Sequence, residues 1–474
     1  MFKRLTQLFL LSTCLVACGQ KNDPNPVLTI EGGLVQGVET TIPGVIAYKG
    51  IPYAAAPVGD LRWKAPQPVT PWVGVRVADT YGAPAIQNHH RPEEPYTSEF
   101  FFDGDPEFSE DCLYLNVFTK YPGQTDKKLP VAMWIHGGGY VAGWGWEPEM
   151  DGIEWANRDV VLVTFNYRLG IFGFMTHPLL TQESHYGVSG NYGIMDQIAC
   201  LNWIHENIDQ FGGDPDNITI FGQSAGAGSV KALVSSPLTG NLIKKAVIQS
   251  GGGVSETVRP SVPLEQVSQA AKEIMDWGGY DTLEKMRAAT VEELQDLQAR
   301  YLAETGQYPR LSSGSVIDGY VNVMSFDQAA KEGKIKNIPY MIGYTLNDIG
   351  GFSAHEAIDR FCSLRETAGI PAYSYEFVRS LPDNPQGTHA LKGAFHSSEL
   401  WYTFKSLRNS DRPFTPGDYD LAEKMITCWT NFVKTGQPGE GWTPNTEGSR
   451  QYMIFDANDQ KALCNMGFTI APQQ

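Results

Sequence analysis

Gly222-Gln223-Ser224-Ala225-Gly226 follows directly on the apolar run ITIF at 218 to 221. A G-x-S-x-G pattern at the end of a strand suits a sharp strand-to-helix turn. Glycines flank the serine because backbone segments come too close there for side chains. Such a turn exposes the serine Oγ and aims the amide of Ala225 at any oxyanion formed on it. The chemistry open to that serine is acyl transfer. A hydroxyl is a poor nucleophile, however, until a base takes its proton and a carboxylate orients that base. The chain has 49 glycines, so chance also produces the pattern, and an ordinary turn would account for it equally well.

A second signal lies upstream. His136-Gly137-Gly138-Gly139 follows the apolar run VAMWI at 131 to 135. Glycines let backbone N–H groups approach a developing negative oxygen, so this loop supplies the other half of an oxyanion site. His136 precedes the serine and reads as a loop-shaping residue rather than the base. On a sheet of this kind the acid and then the histidine follow the serine along the chain. Asp348 is suitably placed, four residues past Tyr344 in YMIGYTLNDIGG. His355 follows Asp348 by seven residues, which leaves no room for an intervening strand and helix. Spacing alone does not choose between His389 and His396. An aspartate in such a loop is ordinarily a turn residue, and most surface histidines carry no chemistry.

The elements that would position these residues are legible as apolar runs. VAMWI, VVLVTF at 160 to 165, ITIF, AVIQ at 246 to 249 and YMIGY at 340 to 344 are rich in β-branched residues. They lack polar alternation, as expected of strands buried on both faces. Between them, DQIACLNWIHENIDQFGG places Ile198, Leu201, Ile204, Ile208 and Phe211 near one helical face and stops at Gly212 and Gly213. Alternating strands and helices predict an α/β fold with a mostly parallel central sheet flanked by helices. Residues 255 to 310 break the rhythm with amphipathic acidic helices and read as a helical insertion.

Composition narrows the function. Acidic residues exceed basic ones by 53 − 36 = 17 in 474 residues, a balance that repels phosphate backbones and argues against nucleic acid. Lys3 and Arg4 precede an apolar stretch from Leu5 to Val16, too short to span a bilayer but suited to a signal peptide. Its end, LVAC at 15 to 18 with Gly19 following, resembles a bacterial lipobox. That resemblance implies cleavage before Cys18 and lipidation of Cys18, with several acyl chains forming a stable anchor. The expected organisation is a leader at 1–17, a polar tether at 18–27 and one domain at 28–474. No later stretch is long and apolar enough to cross a membrane. Seven cysteines are present, none spaced C-x-x-C, so zinc and redox sites have no support.

Longer segments resemble one family, the type B carboxylesterases, a group of α/β-hydrolases that includes the cholinesterase-like proteins. FGGDPDNITIFGQSAG at 211 to 226 is similar to the family's serine signature and SEDCLYLNVF at 109 to 118 to its second signature. YKGIPYAAAPVGDLRWKAPQPVTPW at 48 to 72 and FNYRLGIFGF at 165 to 174 also look like family segments. GAFHSSELWYTF at 393 to 404 is similar to the segment carrying the catalytic histidine, which selects His396, and IGYTLNDIGG selects Asp348. The resemblance implies oxyanion donors at the amides of Gly138, Gly139 and Ala225. It also marks departures. Asp348 stands where the family usually has glutamate, and Gln223 replaces a common glutamate. Ala85 stands where a disulfide partner of Cys112 is expected. No tryptophan matches the one with which cholinesterases hold a quaternary ammonium.

The sequence therefore predicts a lipid-anchored serine esterase with Ser224, His396 and Asp348 as its triad, needing neither metal nor organic cofactor. Its partner would be a small-molecule or carbohydrate ester, and its place a bacterial membrane, with the outer one preferred because Gly19 is not aspartate. An amidase, thioesterase or polysaccharide esterase on the same triad, and a non-catalytic binding protein, are the rival readings.

Overall fold

A computed structural model describes residues 24–256, 264–307, 311, 314–349, 353–383 and 389–468. Cys18, the leader and the first part of the tether lie outside the described residues.

The five runs picked out above form a contiguous block of one eleven-stranded sheet. Val161–Phe165, Leu129–Ile135, Gly213–Gln223, Ile243–Gln249 and Tyr340–Thr345 lie side by side, every neighbouring pair parallel. Tyr373–Phe377 and Tyr452–Phe455 continue the parallel block. Tyr114–Thr119, Ile46–Pro52 and Val38–Glu39 extend the other side antiparallel.

The uniform apolarity of the central strands has a simple cause, since successive residues feed two cores. Ile135, Ile220, Ile248 and Ile342 face one cluster, while their neighbours Trp134, Phe221, Val247 and Met341 face the other. Helices Tyr192–Asn207 and Ala225–Ser235 cover the first face, and Leu400–Thr403 and Pro416–Thr435 cover the second. This arrangement fixes the carboxyl ends of the strands, where ligands bind in open α/β sheets.

The helix expected from residue 196 onward begins earlier, at Tyr192, and is buried nearly all round rather than on one face. The cause is Asp196, whose carboxylate takes the guanidinium of Arg168 at 2.7 and 2.9 Å and the Arg168 amide at 3.0 Å. That pairing makes a charged residue compatible with complete burial. The helix ends as expected, through a tight turn at Ile208–Phe211 into Gly212 at φ +78°.

The insertion consists of Leu264–Trp277, Leu283–Ala288 and Val291–Thr305, packed through Ala271, Ile274, Met275, Met286, Leu294 and Leu297. Arg62 fastens it to the main body, donating to Glu110 at 2.6 Å and to the carbonyl of Ala289 at 2.7 Å. Cys112, Cys200, Cys362, Cys428 and Cys464 are free thiols. Among the described residues no helix is long and apolar enough to cross a membrane.

Candidate active site

Ser224 sits between the strand Gly213–Gln223 and the helix Ala225–Ser235 with φ 57° and ψ −121°, a conformation costly for a residue with a side chain. Close backbone packing enforces it. A Cβ on Gly226 would lie 2.0 Å from the carbonyl oxygen of Ile135, and one on Gly222 would lie 2.6 Å from Gly226. The Ser224 amide donates to Gln249 O at 3.0 Å, fixing the turn to the next strand.

The glycine loop lies against this corner. A Cβ on Gly137 would be 3.2 Å from the Cβ of Ser224, and Gly138 and Gly139 hold φ +87° and +63°. His136 is buried, stacks on Tyr167 at 4.3 Å, and is pushed down to about 3 by desolvation, so it stays neutral. It shapes the loop and takes up no proton near neutral pH.

Asp348 and His396 come from separate loops that the structure joins. His396 Nδ1 is 2.5 Å from Asp348 Oδ1, which also accepts the Ile349 amide at 2.7 Å. The shorter arm of aspartate is thus matched by a tight turn, closed by Asp348 N to Thr345 O at 3.1 Å. Asn347 ties the two loops together. Its amide donates to Ala394 O at 2.9 Å and its side-chain oxygen accepts from Ala394 N at 3.0 Å. Ser224, His396, Gln223 and Gly137 to Gly139 line one cavity of about 320 Å³, walled by Tyr96, Phe100, Phe101, Met150 and Leu400.

The other two candidate histidines lie elsewhere. His389 is buried away from the serine, with Nδ1 3.5 Å from Glu99 and Nε2 3.1 Å from Asp411. His355 lies on the helix Ser353–Thr367.

Gln223, already marked in the sequence as standing in for a common glutamate, places its amide 3.2 Å from His396 Nε2, while Ser224 Oγ makes no hydrogen bond among the described residues. Two residues went unnoticed in the sequence. Asn347 is one. The other is Glu399, fully buried and raised to about 7 by desolvation and by the charge of Asp348, partly offset by His396 and Gln249. It stands three residues after His396, a helical spacing that could have drawn attention to it. Among the described residues no group of three or more histidines, cysteines or carboxylates is placed to hold a metal ion.

Comparison with known proteins identifies the family. The Carboxylesterase family profile matches residues 24–360 and 352–468. The chain is 38% identical to the fumonisin B1 esterase of Sphingopyxis macrogoltabida, over 94% of this chain and 89% of that one. It is 32% identical to the para-nitrobenzyl esterase of Bacillus subtilis (strain 168), over 91% and 95%. Among solved structures, a thermophilic para-nitrobenzyl esterase superposes with a TM-score of 0.76 at 30% identity, covering 93% of this chain and 97% of that one. A Geobacillus stearothermophilus carboxylesterase superposes with a TM-score of 0.73 at 30% identity and the same coverage. The chain belongs to the carboxylesterase family and is a carboxylic ester hydrolase on an α/β-hydrolase fold.

Proposed function

We propose that ester hydrolysis runs through a Ser224–His396–Asp348 triad and an acyl-enzyme. His396 Nε2 takes the proton of Ser224 as Oγ attacks the ester carbonyl. The amides of Gly138, Gly139 and Ala225 stabilise the resulting oxyanion. Collapse breaks the ester bond, and the leaving alcohol takes the proton from His396. Water, deprotonated by His396, then attacks the acyl carbon, releasing the acid and restoring Ser224. The observation that carries this reading is the 2.5 Å His396–Asp348 contact beside a strained serine under a glycine loop. In the resting site Nε2 faces the Gln223 amide, so the productive complex exchanges that contact for Ser224 Oγ.

The relatives' names span fumonisin B1 and para-nitrobenzyl substrates, so membership leaves the acyl and alcohol open. The cavity is walled by apolar and aromatic side chains with no lysine or arginine among its described lining residues, which favours neutral esters. Hydrolysis of p-nitrophenyl esters from acetate to decanoate tests the reading. Activity should fall about 10⁶-fold in Ser224→Ala with the fold intact. Undiminished hydrolysis in that variant would overturn it.

We also propose export and anchoring through a lipidated Cys18, followed by a tether to residue 27 and a single hydrolase domain from residue 28. LVAC-G at 15 to 19 supports this. Incorporation of radiolabelled palmitate, abolished in Cys18→Ala, is the expected result, and an unlabelled wild type rules it out. Outer-membrane placement rests on Gly19 alone and is tested by fractionation.

A further inference from the structure

The oxyanion loop is braced at its far end by two carboxylates that the mechanism above does not use. Glu147 Oε1 accepts the Trp144 amide at 2.8 Å, and Gln87 Oε1 accepts the preceding amide, that of Gly143, also at 2.8 Å. A Cβ on Gly143 would lie 3.1 Å from Glu147 Oε1 and 2.7 Å from His136 Nδ1, so this carboxylate packs directly under the loop. The loop returns to its glycines through Val141 N and Ala142 N, which both donate to Gly138 O. Glu149 is 1% exposed, lines the same cavity as Ser224, and buries its Oε2 with no N–H or O–H donor to it among the described residues.

Among the described residues no cation answers this pair. Arg412 is bound to Glu99, at 2.5 Å, and His389 also faces Glu99. Arg408 pairs with Asp151, Lys405 with Glu423, and His90 with Asp105. His136 is held neutral, and the Tyr167 phenol donates to the His136 carbonyl, so neither offers this pair a positive charge. Glu147 and Glu149 are two buried carboxylates, two residues apart on one cavity wall and facing each other. Such a pair does not ionise twice readily, so a proton stays between them.

We propose that Glu147 and Glu149 form one proton-sharing positioning unit: protonated Glu149 donates to Glu147, and Glu147 holds the Trp144 amide and with it the oxyanion loop. Burial raises both carboxyls above their ordinary range, Glu149 the more strongly because Glu147 and Glu99 face it. Loss of the shared proton to solvent at alkaline pH leaves two like charges under the loop. Their repulsion displaces Trp144 and Gly143 and withdraws the donors at Gly138 and Gly139. The effect on catalysis rests on the triad reading; the shared proton itself does not.

Two measurements on the full chain test this. The first is the pH profile of kcat/KM for p-nitrophenyl acetate, each protein normalised to its own rate at neutral pH. Wild type should lose about tenfold per pH unit beyond the pair's second ionisation. Glu149→Gln keeps a donor to Glu147 and has nothing to titrate, so its alkaline limb should be flat over the same range. Should that variant fail to fold, Glu147→Gln removes the like charge from the other side and should flatten the limb too. The second is difference infrared spectroscopy of wild type against the folded variant. A protonated-carboxyl band present at neutral pH and bleached at alkaline pH is expected. Its absence overturns the shared proton whether or not any ester is cleaved, and its presence with superimposable pH profiles overturns the positioning role. Failure of the triad reading looks different, as wild type would then match Ser224→Ala at every pH.

Discussion

The two sides of the active site are held by different means. On the nucleophile side, position is dictated by backbone against backbone: Gly226 under Ile135, Gly222 under Gly226, and Gly137 against Ser224. On the acid–base side, position comes from side chains bonding to loops. Asp348 caps its own turn, Asn347 bridges to Ala394, and Glu399 lies buried beneath. The difference teaches what each side tolerates. A single added methyl is disabling on the first side whatever its chemistry. On the second, what counts is the ability to accept or donate a hydrogen bond.

With the nucleophile itself left in place, the largest effect should come from the acid–base side. Asp348→Asn keeps the shape of the loop but offers His396 Nδ1 an amide in place of a carboxylate. The imidazolium loses its counter-charge, and kcat should drop by about 10⁴-fold. Asp348→Glu should recover part of this loss, because the carboxylate returns on a longer arm. Equal activity of the asparagine variant and wild type would show that Asp348 is only a turn residue.

Glu399 sharpens the same side. Its carboxyl is raised from the ordinary 4.5 to about 7, so the folded state prefers it neutral. The stability tied to that neutral form is complete below the unfolded value and is lost as pH climbs through the folded one. Glu399→Gln stays neutral throughout. Its stability relative to wild type should therefore rise between about pH 4.5 and 7 and then level off, by about 3 kcal/mol in total. Urea unfolding at several pH values reads this directly, and a pH-independent difference would contradict it.

How far the sequence revealed each side follows from the same contrast. Backbone crowding restricts residue type to glycine, so G-x-S-x-G and the HGGG run carried their geometry openly. The central strands were equally plain, because feeding two cores removes polar alternation. The acid–base side was harder to read, since aspartates, asparagines and histidines fill many loops. His389 and His396 differ in what surrounds them, Glu99 and Asp411 for one and Asp348 for the other, and spacing is blind to that. The early start of the helix at Tyr192 was hidden for a related reason. Asp196 reads as a polar boundary until its partner Arg168, 28 residues away, is seen.

A test on the nucleophile side should show the opposite pattern. Gly226→Ala adds one methyl at a point 2.0 Å from the Ile135 carbonyl. The helix must lift from the strand, carrying the Ala225 amide away from the oxyanion. A misplacement of about 1 Å costs roughly a hundredfold in kcat. Serine at this position should do no better than alanine, since no hydrogen bond is at stake. Full activity in either variant would mean that the turn yields more easily than its packing implies.

The smallest effect separates the two principles most cleanly. Asn347→Ala removes the acceptor for Ala394 N but leaves the backbone bond from Asn347 N to Ala394 O in place. An amide left without its partner costs about 1–3 kcal/mol, some of it absorbed as the loop relaxes. We expect kcat to fall about tenfold with KM nearly steady, because His396 is held less firmly for proton transfer while the cavity walls stay put. Asn347→Asp restores an acceptor of the same shape and should recover most of the loss when assayed above the acid limb of the pH profile. Equal losses in both variants would mean that the side-chain bond does not position His396, and the backbone pairing at Asn347 and Phe395 would then suffice. Recovery by aspartate, set beside the failure of serine at Gly226, would show that hydrogen-bonding capacity governs one wall of the site and excluded volume the other.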